Sequence, residues 1–222
     1  MEKVIKGIKK FQEDVFPLQR NLFAELALGQ DPKYLFITCS DSRIDPNLLT
    51  QTSPGELFIC RNAVNIVPPH QWEAGGMTAS IEFAVSALGI EHIIICGHND
   101  CGAMKATLTP EALKGMPHVE RWLGHAHAAA EIVKAHHGGC IGPENVPEIT
   151  EQNVVLQLQH LRTHPAVAAR LATRKIDLHG WVYDIETGGM RCYDETDGSF
   201  KSYSERYADV LESNAGNVRV VG

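Results

Sequence analysis

No stretch of this chain approaches the roughly 18 to 20 apolar residues that span a bilayer. Its first residues, Met1 to Gly7, mix polar and apolar side chains where a signal peptide would have an apolar core. Lysine- or arginine-rich runs are missing too. With 20 basic against 27 acidic residues the net charge is −7, which leaves nucleic acid and anionic membranes unsupported as partners. There is no Gly-x-Gly-x-x-Gly turn and no P-loop to cradle a nucleotide, no internal repeat and no low-complexity linker. The six cysteines lack the dense spacing of a disulfide scaffold and fit a reducing compartment. A cytoplasmic protein is expected. What is present, 222 residues with 44% hydrophobic and 21% charged side chains, suits one domain with appended arms.

Short apolar runs carry the fold expectation. Tyr34–Thr38, Leu57–Cys60 and His92–Cys96 are continuous and β-favouring, as in parallel strands covered on both faces. Asp177–Tyr183 reads as a fourth strand, and Gly188-Gly189 turns the chain into Met190–Tyr193 as an antiparallel edge. Helical spacing appears in Val4–Leu28, broken near Pro17, then in 75–88, 120–135 and 152–171, the last broken at His164-Pro165. The expectation is an α/β fold: a mostly parallel sheet of four strands plus an antiparallel edge strand, flanked by helices. The domain reading is one unit over 1–222, with an N-terminal helical arm (1–30), an α/β core (31–200) and a C-terminal tail (201–222).

Two of the strands run directly into metal-ligand chemistry. Cys39-Ser40-Asp41-Ser42-Arg43 follows the first strand, and Gly97-His98-Asn99-Asp100-Cys101-Gly102 follows the third. Ligands in open parallel sheets bind beyond the carboxyl ends of strands, so neighbouring strands would bring Cys39 against His98 and Cys101. Two thiolates and an imidazole suit zinc and are one ligand short of a closed tetrahedron, which points to catalysis. Two thiolates cancel the charge of the ion, so a bound water would be acidified less than by three imidazoles, and activity should rise on the alkaline side of neutrality. Asp41 is placed to accept a hydrogen bond beside the metal or to become its fourth ligand in a closed state. A bidentate pair with Arg43 would hold it off.

With both motifs in this order, and with Pro54-Gly55-Glu56, Arg61-Asn62-Ala63 and His179-Gly180-Trp181 alongside them, the chain resembles a β-class carbonic anhydrase over most of its length. The resemblance implies a lyase: zinc-dependent reversible hydration of carbon dioxide to bicarbonate and a proton, by attack of zinc-bound hydroxide, in a homodimer or homotetramer whose N-terminal helices embrace a neighbouring subunit. It implies one Zn2+ per subunit on Cys39, His98 and Cys101, an orienting dyad of Asp41 and Arg43, and a substrate pocket involving Gln30, Phe58, Phe83 and Gly102. Phe83 stands where many members have Tyr. Of the Trp, Arg and Tyr that bind a noncatalytic bicarbonate in one subgroup, Arg61 and Tyr183 match but Phe36 replaces the Trp. With Gln30, this implies the open form of the site.

Other residues have plainer readings. Cys60 and Cys96 read as buried small hydrophobes, Trp122 and Trp181 as packing residues, and the pairs His125/His127 and His136/His137 as solvated histidines, although these pairs also offer donors for a second metal. Cys140 and Cys192 have no assigned role. Two rival functions remain: a noncatalytic zinc or bicarbonate-sensing protein closed by Asp41, and a hydrolase of carbon disulfide or carbonyl sulfide on the same scaffold.

Overall fold

The computed structural model describes residues 1–73 and 75–215; the end of the predicted tail, 216–222, lies outside them. Six strands form one sheet in the order β2-β1-β3-β4-β5-β6: β1 (Tyr34–Cys39), β2 (Leu57–Asn62), β3 (His92–His98), β4 (Asp177–Tyr183), β5 (Met190–Asp194) and β6 (Ser199–Ser202). β1 to β4 are parallel and β5 and β6 antiparallel. The antiparallel edge therefore has two strands where the apolar pattern shows one, because β6 is held by register with β5 (Tyr193 opposite Phe200) and its own residues are half-buried or exposed.

The helices are α1 (Glu2–Lys10), α2 (Arg20–Leu26), α3 (Pro46–Thr50), α4 (Gly76–Glu82), α5 (Gly102–Thr107), α6 (Pro117–Leu123), α7 (His127–His136), α8 (Val146–Thr163), α9 (Pro165–Ala172), α10 (Tyr203–Arg206) and α11 (Ala208–Ala215). Pro17 falls in the tight turn Phe16–Gln19 that separates the two arm helices, and His164 is extended (ψ 123°) because Pro165 follows it, which divides α8 from α9. α3 begins where Asp45 accepts a hydrogen bond from the Leu48 amide and Pro46 takes the first helical position.

One face of the sheet is covered by α4 and α8, burying Leu35, Ile37, Ile81, Ile93, Ile95, Val154 and Leu158. The other face has a small cluster, Phe36, Ile94 and Cys96 with Trp181 and Met190 against it, and leaves Tyr34 and Ile59 more than a third exposed. A separate core of Val64, Ile66, Met104, Val133 and Ile149 closes over the carboxyl ends of the strands. From β1 the chain moves outward to β2, then returns past β1 to β3. The β1/β3 boundary is thus the point where crossovers diverge, the place where open α/β sheets open a crevice.

Candidate metal centre

Cys39 ends β1 and His98 ends β3, adjacent strands in register (Thr38 opposite Cys96). Their donor atoms and that of Cys101 all lie within 4.8 Å of one another, and the three residues are buried. The His98 tautomer is set by its neighbour. Nδ1 lies 2.7 Å from the Asn99 carbonyl, which only accepts, so Nδ1 carries the proton and Nε2 a lone pair. Nε2 is buried with no hydrogen-bond partner, an arrangement that costs free energy unless something electrophilic completes it. Asn99 is fixed in turn: its amide donates to Asp184 Oδ1 (2.7 Å), its side-chain carbonyl accepts from the Ile185 amide (2.9 Å), and its own N–H bonds the Tyr183 carbonyl at the end of β4 (2.9 Å).

The cysteines are prepared as a pair. Contact with Cys101 first, then with His98 and the amides of Val64 and Asp41, holds the Cys39 pKa down against burial. That same contact pushes Cys101 up. Of the two, Cys39 is the readier to lose its proton, and a soft divalent cation would displace the proton of the other. Two thiolates and a neutral imidazole therefore fit zinc as the chemistry of the donor set requires.

Asp41 Oδ2 lies 3.9 Å from His98 Nε2, at the open side of the triad. Arg43 grips that carboxylate bidentately, Nε to Oδ1 at 2.9 Å and Nη2 to Oδ2 at 2.7 Å, and adds its backbone amide to Oδ1 at 3.0 Å. These bonds hold the Asp41 carboxyl well below the usual carboxylate range. Two neighbours, in contacts that the motifs do not reveal, complete the frame. Arg61 donates from Nε to the Cys39 carbonyl (3.0 Å) and from Nη2 to the Asp41 carbonyl (2.6 Å). Asp100 accepts from Arg43 Nη1 (2.9 Å) while its backbone carbonyl takes Nη2 (3.2 Å).

The pocket residues are not all at this place. Gly102 is, as the first residue of α5. Phe58 is level with Leu35 in the β1–β2 register, four residues and about 13 Å along the strand from Cys39, and packs against Phe83 with ring centroids 6.1 Å apart. Phe83 is 48% exposed, and Gln30 is exposed in the segment before β1. Within one chain these three do not reach the triad. Cys60 and Cys96 are buried as read, burial pushing the Cys96 thiol up to about 12. Trp122 does more than pack, since its Nε1 donates to the Ala63 carbonyl (2.9 Å) beside the triad. His136 and His137 both lie against Glu148, but no second cluster of three ligating atoms converges among the described residues.

The chain matches the carbonic anhydrase family over residues 34–190. It is 46% identical over 205 residues to a carbonic anhydrase of Pseudomonas aeruginosa, covering 92% of this chain and 93% of that one, and 46% identical over 189 residues to one of Synechococcus elongatus, covering 85% and 70%. Among solved structures it is similar to the β-carbonic anhydrase CcaA (TM-score 0.87, 42% identity, 91% of this chain and 98% of that one). It is also similar to a structure reported with two tetrameric β-carbonic anhydrases of Sordaria macrospora (TM-score 0.70, 30% identity, 86% and 92%).

Proposed function

This chain belongs to the carbonic anhydrase family, in its β class, and from that premise we propose which of its residues carry the zinc-dependent, reversible hydration of carbon dioxide to bicarbonate and a proton. Cys39, His98 and Cys101 hold one Zn2+ per subunit. The observation that carries this is the buried Nε2 of His98, without a hydrogen-bond partner, gathered with two cysteine sulfurs within 4.8 Å of one another. Bound there, zinc supplies a Lewis acid that makes a water nucleophilic, less strongly than with three imidazoles because two thiolates cancel its charge.

Asp41 and Arg43 are the orienting dyad. Held as an anion by Arg43, Asp41 keeps no proton near neutrality, so it acts as an acceptor that aims the attacking hydroxyl group and not as a proton reservoir. The clamp also keeps the carboxylate from serving as a ligand, which favours a catalyst over a permanently closed sensor. The open form has a second support: with Phe36 against Trp181, Arg61 spends its guanidinium on two loop carbonyls. Gln30, Phe58, Phe83 and Gly102 form the substrate pocket, the first three supplied across a subunit boundary in a homodimer or homotetramer, since one chain alone leaves them away from the triad. The chain works as one domain in the cytoplasm, a reading supported by six free cysteines and by the absence, among the described residues, of a helix long and apolar enough to cross a membrane.

Zinc content and stopped-flow carbon dioxide hydration, measured across pH on the parent and on Cys39→Ala, test this. The parent should bind one zinc and turn over faster through the alkaline side of neutrality, and the variant should lose both. A parent that binds zinc without turnover at any pH up to mildly alkaline would favour the sensor. Carbon disulfide or carbonyl sulfide outcompeting carbon dioxide would favour the related hydrolase.

A further inference from the structure

Asp100 sits between two of the proposed ligands, in the left-handed region (φ +55°), and its side chain reaches Arg43 in the other loop. Its Oδ2 takes Arg43 Nη1 at 2.9 Å and its carbonyl takes Nη2 at 3.2 Å. Its second carboxylate oxygen is held by Lys105 Nζ, from the last turn of α5. The guanidinium of Arg43 is thus engaged along two edges: Nε and Nη2 on Asp41, Nη1 and Nη2 on Asp100. Planarity makes these engagements interdependent, because a fork fixed on Asp100 has one orientation left toward Asp41. Arg43 and Asp100 are 43% and 52% exposed, so as an ordinary surface pair they would add little stability. What the pair provides is placement. It also ties the loop after β1 to the loop after β3 by charge.

We propose that Asp100, braced by Lys105, is a positioning residue for the reaction: it locks Arg43 in the orientation that holds the Asp41 carboxylate off the metal position. This rests on the reading of Asp41 and Arg43 given above. Asp100 touches no reacting atom and acts only through Arg43.

The test uses full-length protein with Co2+ in place of zinc, whose visible absorption reports the ligand set, together with carbon dioxide hydration by the zinc form. Asp100→Gly removes the side chain at a position where glycine's backbone is at ease, so the variant folds; Asp100→Asn keeps size and removes charge. Asp100→Gly should shift the visible cobalt bands toward a site with a fourth protein ligand and lower kcat/KM about tenfold, with Asp100→Asn intermediate. In an Arg43→Met background, where the clamp is already gone, Asp100→Gly should change neither readout by more than about twofold. Parent-like cobalt bands and rates in Asp100→Gly would overturn the proposal while leaving the metal site standing, as would a full additional loss on top of Arg43→Met. A parent cobalt protein without thiolate charge-transfer bands would overturn both the proposal and the metal reading beneath it.

Discussion

At residue scale the centre is held by groups that are costly elsewhere. Val64 has φ +68° and Asn65 φ +48°, a conformation that strains a β-branched residue by about 1–3 kcal/mol. Fixed contacts hold it: Val64 is fully buried, its carbonyl accepts from Asn153 (3.3 Å), and Asn62 brackets the amide and carbonyl of Ile66 at 2.7 and 2.8 Å. The turn aims the Val64 amide at the Cys39 sulfur. His179 shows the same economy away from the centre. It is largely buried between Tyr207 and His92 (3.2 and 3.3 Å), and burial first, then the His92 charge, pushes it down to about 4, with Arg206 adding to the shift and Asp177 opposing it. Folded His179 therefore stays neutral where the unfolded residue, near 6.5, takes a proton. Its contribution is complete above pH 6.5 and is lost as pH falls toward 4, by up to about 3 kcal/mol. Urea unfolding of parent and His179→Gln from pH 7 to 4.5 checks this: the parent should lose stability more steeply below 6.5, and parallel curves would refute it. Cys39, His98, Cys101, Asp41 and Arg43 are legible in sequence because their residue types and spacing at two strand ends already spell metal-ligand chemistry. Asp100 and Arg61 stand inside sequence motifs, but their partners, Arg43 for the one and the Cys39 and Asp41 carbonyls for the other, and that of Asn153 exist only once strands far apart in sequence are neighbours.

At the scale of elements, the centre depends on how closely α8 lies on the sheet. A Cβ on Gly97 would meet Val154 Cγ2 at 3.0 Å and Thr150 Cγ2 at 3.2 Å, and one on Gly180 would meet Leu158 and Val154 at 2.9 Å. Both glycines are therefore seats for the same helix, one of them next to His98. Gly180→Ala and Gly97→Ala should each cost about 1–3 kcal/mol by overpacking, read from the urea midpoint. Only Gly97→Ala should also speed zinc loss to a chelator, several-fold, because the displaced backbone carries His98. Equal zinc retention in the two variants would show that the seating of α8 and the ligand geometry are independent. β1 and β3 are readable as continuous apolar runs because both their faces are covered. β6 is not, since Ser199-Phe200-Lys201-Ser202 gains its identity from pairing and from the turn at Gly198 (φ +71°). The helical pattern over 120–135 is resolved into α6 and α7 by a tight turn at Gly124–Ala126, a break that periodicity alone does not mark.

For the whole molecule, the arm poses the remaining physical question. α1 buries none of its residues, yet Val4, Ile5 and Ile8, followed by Phe11, line its apolar side at 59, 58, 55 and 41% exposure. The run continues as a wider helical turn through Phe11–Val15, but a helix of this length is still marginal alone in water, and its apolar stripe gains about 1 kcal/mol or more per side chain when covered. On one face of the sheet Tyr34 and Ile59 are more than a third exposed as well. In the proposed assembly a second copy of the chain would cover both surfaces, and it is also what would bring Gln30, Phe58 and Phe83 to a triad. Ile5→Asp combined with Ile8→Asp should then dissociate the assembly at micromolar concentration, observed by sedimentation equilibrium. Hydration activity should fall with dissociation while zinc content stays near one per chain, because Cys39, His98 and Cys101 come from a single chain. Retained assembly in the double variant would remove the arm from the interface, and a fully active monomer would show that the pocket is complete without a neighbour.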